Sequence, residues 1–139
     1  MKHTLLLLSG LLFLASCSES NKNWIGCYEG VIDKTTEFID IQSPSENISY
    51  SIDLSVKMDN RGYYVKFGES KGYLDKSGRT KFLFNDQYPN LNREVFMRVE
   101  IDINSPNLIY KSTREVYWYD DLETITKEIG KLKKTISEC

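Results

Sequence analysis

Histidine is the side chain that most often moves protons near neutral pH, and this chain has one, His3, inside its apolar leader. Without another, a Ser-His-Asp or Cys-His enzyme is not expected. Cysteines stand at 17, 27 and 139, too few for a Cys₄ zinc site. No phosphate-cradling glycine loop or dinucleotide fingerprint occurs. The chain has 20 acidic residues, and a glycosidase-type carboxylate pair would need two of them facing one cleft. None is distinguished, because most fall at turn or solvent-facing positions. Asp59-Asn60-Arg61-Gly62 has the start of a calcium loop but lacks the later ligands, so it reads as a turn. The sequence therefore predicts no catalytic residue, no metal and no cofactor. Its richest chemical resource is aromatic. Trp24, Tyr28, Tyr63, Phe67, Phe84, Tyr117 and Trp118 are candidates to line a ligand cup or a partner surface. The alternative is that they form the core of a small β domain.

The leader decides where that resource would work. Lys2 and His3 precede an apolar run over residues 5–15, which ends in Leu14-Ala15-Ser16-Cys17. A basic start, an apolar centre and small residues at the exit make a secretory signal. The run is well short of the roughly 20 residues that span a bilayer. Leu14-Ala15-Ser16-Cys17 resembles the lipobox of bacterial lipoproteins. That resemblance implies cleavage before Cys17, lipid on its sulfur, and palmitate-type acylation of the new amino group. An ordinary secretory signal cut after Cys17 is the alternative. Two or more acyl chains anchor a protein stably, so the expected address is the cell envelope. Ser18, rather than Asp, favours by the same resemblance the outer membrane, facing the periplasm. Residues 1–16 are then the signal peptide, and 17–23 the lipidated cysteine and a short polar tether.

With Cys17 carrying lipid, Cys27 and Cys139 remain. Two cysteines in an oxidising compartment predict a Cys27–Cys139 disulfide. Two free thiols, or pairing with a partner protein, are the alternatives.

Residues 24–139 read as a single β-rich domain. The charge balance, 18 basic against 20 acidic, gives no electrostatic case for nucleic acid. The cleanest alternation runs Ile48, Tyr50, Ile52, Leu54, Val56, Met58, with polar residues between. A second runs Val95, Met97, Val99, Ile101, Ile103. Each gives one apolar and one wet face, as in an antiparallel sheet packed on one side. Shorter strands over 63–69, 72–75 and 79–85 are bounded by Gly, Asn, Asp and Ser, the pattern of a meander. The stretch 35–43 reads as strand or structured loop, 86–92 as a loop with Pro89, and 108–119 as the last strand.

The first strand begins Trp24-Ile25-Gly26-Cys27-Tyr28. This resembles the aromatic-x-Gly-x-aromatic opening of the calycin group, the lipocalins and fatty-acid-binding proteins, with Tyr28 where that group has Trp. The resemblance implies a cup-shaped barrel and an apolar ligand.

The last segment predicts a helix over 121–137. Asp120 with Glu123 suits a capping box. Leu122, Ile125, Ile129, Leu132 and Ile136 recur at helical spacing. Lys131, Lys133 and Lys134 would complement the helix dipole or meet anionic lipid headgroups. The fold expected is mainly β, an antiparallel barrel or strongly curved, lipocalin-like sheet with one C-terminal α-helix. Two functions fit: a membrane-anchored module binding an apolar small molecule or envelope component, or a periplasmic inhibitor of the immunity type that blocks a partner enzyme.

Overall fold

The computed structural model describes residues 23–39, 43–135 and 139. The signal peptide, Cys17 and most of the tether lie outside the described residues. Eight strands follow in order: β1 Gly26–Phe38, β2 Glu46–Asp59, β3 Gly62–Phe67, β4 Ser70–Tyr73, β5 Arg79–Tyr88, β6 Arg93–Asn104, β7 Asn107–Trp118 and β8 Asp121–Thr135. They form one sheet in the order β4-β3-β2-β1-β8-β7-β6-β5. Every pair is antiparallel. Chain neighbours are therefore sheet neighbours along each half, and the first and last strands join the halves. The sheet curls until its edges, β4 and β5, approach each other. Phe82 and Thr80 of β5 occupy the space that a side chain at Gly72 of β4 would take. The result is an up-and-down barrel, nearly closed.

The alternations place the interior as expected. Val95, Val99, Ile101 and Ile103 of β6 are buried, with Phe82 of β5 and Val65 of β3. In β2 the alternation is regular but burial is not. Leu54 and Val56 are buried, whereas Ile48 is 52% exposed. The reason is a short neighbour: β3 pairs with β2 only over Val56–Asp59. Above that point β2 has β1 on one side and no hydrogen-bonded strand on the other. The wall between β2 and β5 is therefore open in the upper half of the barrel.

The helix expected over 121–137 is not formed. Residues 121–135 are the longest strand, β8, which bridges β1 and β7; residues 136 and 137 lie outside the described residues. Helical spacing could not hold against two strand edges that need hydrogen-bond partners on both sides. The supposed apolar stripe is split between the two faces. Leu132 is fully buried inside, and Ile129 is 54% exposed outside. Gly130, a weak residue in a helix, has a steric role in the strand. A Cβ there would strike the Ile32 side chain and come within 2.7 Å of the Val31 carbonyl oxygen. The strand expected over 108–119 is accordingly the penultimate one, β7, and spans Asn107–Trp118. Of the stretch 35–43, residues 35–38 are the end of β1 and 40–42 lie outside the described residues; Pro89–Leu91 makes a 3₁₀ turn after β5.

Asp120 caps no helix. Tyr119 and Asp120 have φ of 51° and 67°, and the flanking Trp118 and Asp121 pair. Two left-handed residues in a two-residue connection define a type I′ hairpin, which favours Asn-Gly. Side chains with a Cβ are disfavoured there. Tyr119→Asn combined with Asp120→Gly is expected to stabilise the fold by about 1 kcal/mol, raising the thermal midpoint by about 4 °C in circular dichroism melts.

One end of the barrel is sealed. Trp24 lies across it, edge-on to Tyr63 at 5.2 Å, and its carbonyl accepts from the buried Tyr28 hydroxyl at 3.0 Å. Gly78, at φ 86°, brings its loop against this ring, where a Cβ would sit 3.1 Å from the indole. Asp75 steadies the same loop, accepting from the Ser77 hydroxyl (2.7 Å) and from the backbone N–H groups of Ser77 (2.8 Å) and Arg79 (3.0 Å). The Ser77 hydroxyl and these amides hold its carboxyl below the usual carboxylate range. Cys27 and Cys139 form the disulfide expected from the sequence, with Cα atoms 5.2 Å apart. Asn23 is also at this end, where its carbonyl accepts from Lys134 Nζ at 2.8 Å. Both ends of the described chain therefore sit beneath the sealed floor.

Candidate functional site

Inward positions change character along the barrel. Near the sealed end they carry Tyr28, Ile32, Val56, Val99, Leu108 and Leu132. Farther up, the same rows become polar. On β7 the inward row reads Leu108, Tyr110, Ser112, Arg114 and Val116; on β1 Ile32 is followed by Lys34 and Thr36. On β8 the matching positions are Gly130, Glu128 and Thr126. The polar stretch lines a cavity of about 440 Å³, flanked by Ile52 and Leu54 on β2 and by Met97 on β6, and reaching Phe67 on β3. That size is within the usual range for small-molecule sites.

Glu128 forms the floor of this trough. One carboxylate oxygen accepts from Tyr50 at 2.7 Å. The other accepts from Tyr110 at 3.2 Å and Ser112 at 3.0 Å. The Tyr50 ring reaches over β1 to make its contact, because β2 and β8 flank that strand. Burial and then the Glu128 charge push the Tyr110 hydroxyl up to about 12. Burial and then its bond to Glu128 push Tyr50 up as well. Both tyrosines are thus neutral donors at any physiological pH, and the carboxylate is well supplied with hydrogen bonds.

The cations nearby are not so matched. Lys34 is the cross-strand neighbour of Glu128 and Arg114 that of Thr126. Both line the cavity, yet the ion pairs among the described residues involve neither. Thr126 lies between them, its hydroxyl 3.2 Å from that of Thr36. At the mouth, the Arg93 Nε is buried with no hydrogen-bond partner among the described residues. The charged residues lining the trough are Lys34, Arg114, Glu128 and Asp53; the Asp53 carboxylate is beside the disulfide, which leaves two cations against one inward carboxylate, Glu128.

The seven aromatic candidates divide four ways. Trp24, Tyr28 and Tyr63 seal the floor end. Phe67 and Phe84 pack with Phe82 at centroid distances of 5.8–6.1 Å, and of the seven only Phe67 lines the trough. Tyr117 is on the outer face, edge-on to Phe96 at 5.6 Å and donating to Glu115 at 3.1 Å. Trp118 is exposed at the rim beside Tyr119. Aromatic character marked packing more than site. The residues missed were Lys34, Tyr50, Tyr110, Ser112, Arg114 and Glu128. The signal for them was an inward row that turns from apolar to polar midway, visible in 108–116.

Two larger depressions, of about 710 and 680 Å³, lie beside the disulfide and over the outer face of β5–β7. The second is crossed by the surface ion pairs Arg79–Asp102 and Lys81–Glu100, which leave its charges matched. At the first, the Cys27 and Cys139 sulfurs and an Asp53 oxygen lie within 4.8 Å of one another, but the sulfurs are bonded to each other and offer no thiolate to a metal. No family model, curated protein or solved structure matches the chain.

Proposed function

We propose that this protein is a lipid-anchored module of the cell envelope, held through Cys17 at the outer membrane facing the periplasm, and that its barrel binds an apolar or amphipathic ligand rather than catalysing a reaction. The observation that carries the binding reading is the trough: a cavity of about 440 Å³ lined by the cations Lys34 and Arg114, the carboxylate of Glu128 and the apolar Leu54, Phe67 and Met97. The lipobox-like Leu14-Ala15-Ser16-Cys17 supports the anchor. The tether leads into Asn23, at the sealed end, and six extended residues reach at most about 20 Å. That arrangement points the mouth away from the anchoring lipid.

Two measurements test the reading. Cells fed labelled palmitate should incorporate it into the protein and lose it with Cys17→Ala; label that persists would overturn the anchor. Native mass spectrometry of the exported chain carrying Cys17→Ser, incubated with an envelope lipid extract, should find one bound small molecule per chain. No retained molecule, with a single periplasmic protein recovered by cross-linking instead, would favour the inhibitor reading. A specific observation keeps that second reading in view: Leu83 is 69% and Tyr119 67% exposed on the outer surface and rim, and large exposed apolar groups suit a protein partner.

A further inference from the structure

We propose that the trough selects an anionic amphiphile: a carboxylate or phosphate head held between Lys34 and Arg114, with the apolar tail running crosswise toward the open wall between β2 and β5. The inference deepens the binding reading above and rests on it.

The register fixes where the head would sit. Lys34 on β1 and Arg114 on β7 flank β8, whose inward residues between them are Thr126 and Glu128. Neighbouring strands lie about 4.8 Å apart, so the two cations straddle a gap about two strand spacings wide. A carboxylate or phosphate fits such a gap, with the Thr126 hydroxyl beneath it. Arg in particular suits these oxygens, because its fork donates two parallel hydrogen bonds.

The charges within the trough give the sign. Its inward carboxylate, Glu128, already accepts three hydroxyl hydrogen bonds. Lys34 and Arg114 have no ion-pair partner among the described residues. A cationic or neutral head would leave two cations, Lys34 and Arg114, against the single inward carboxylate of Glu128.

The tail's direction follows from the missing wall. Ile52 and Leu54 on β2, Phe67 on β3 and Met97 on β6 are the apolar residues of the cavity. They flank the region where β3 ends at Phe67 and β4 spans only Ser70–Tyr73. A tail leaving the head on the β1–β8–β7 wall passes between Met97, the cross-strand neighbour of Arg114, and Ile52 and Leu54 on β2, and meets Phe67 beyond them. It does not descend to the floor, which Trp24, Tyr28 and Ile32 already fill.

The test is calorimetric titration of the chain carrying Cys17→Ser with four probes that share a dodecyl tail: laurate, dodecyl phosphate, dodecyl maltoside and dodecyltrimethylammonium. The anionic pair should bind at least tenfold more tightly than the neutral probe, and the cationic probe most weakly. The stronger of laurate and dodecyl phosphate identifies the head. Lys34→Met with Arg114→Met should cut anion affinity by thirtyfold or more, at least tenfold more than it changes dodecyl maltoside affinity; circular dichroism checks that the variant is folded. Phe67→Ala should weaken all probes alike. Equal affinity for maltoside and anions, or an anion affinity unmoved by the double variant, would overturn the anion assignment while leaving a binding trough. Failure of all four probes to bind would overturn the binding reading with it.

Discussion

Cys139→Ala is expected to lower the thermal midpoint by about 15–20 °C. The disulfide joins residues 112 apart in sequence, and closing so long a loop removes about 4–5 kcal/mol of chain entropy from the unfolded state. Unfolding entropy near 2 cal/mol/K per residue converts that into the stated shift for a domain of this size. Cys27 sits on β1 beside Thr135 of β8, so the strand pairing itself brings the C-terminus to its partner. Reduction of the native protein should reproduce the effect in a denaturant series. A loss below about 1 kcal/mol would mean that the unfolded chain already keeps these ends together.

Glu128→Ala is expected to cost about 3 kcal/mol, seen as a lower urea midpoint. The carboxylate accepts from Tyr50, Tyr110 and Ser112. Tyr110 is 4% and Ser112 5% exposed, so removing Glu128 strands two buried hydroxyls. Each such loss costs about 1–3 kcal/mol, and Tyr50 at the solvent side adds less. Glu128→Gln keeps an acceptor oxygen and should cost about half as much. A double-mutant cycle sharpens the test. Tyr110→Phe should cost about 1 kcal/mol in the native chain and nothing in the Glu128→Ala background, because there the hydroxyl's partner has gone. Additive costs would show that Tyr110 and Glu128 are not coupled.

Much of the barrel was legible because its signals are local. Val95 to Ile103 alternate, glycines and asparagines punctuate the meander, and two cysteines remain once Cys17 is set aside. The C-terminal segment was misread because its apolar residues recur at helical spacing. Nothing in residues 121–135 alone reveals that two strand edges await a partner. The preference of Thr124, Ile125, Thr126 and Ile129 for extended backbone was the available counter-signal. The site was illegible for a related reason. Glu128 reads as a solvated residue on a helix and Lys34 as an ordinary surface lysine, until the pairing Lys34–Glu128 turns both inward. Conversely, Tyr117 and Trp118 looked like cup residues because alternation near the bulge after Val116 does not tell inside from outside.

Asn23 and Cys139 share the sealed end, and the mouth is a full strand length away. A purification tag, a biosensor chip or a bead coupled at either of these points should therefore hold the molecule in the same upright orientation. Its binding kinetics should be indifferent to which of the two is used.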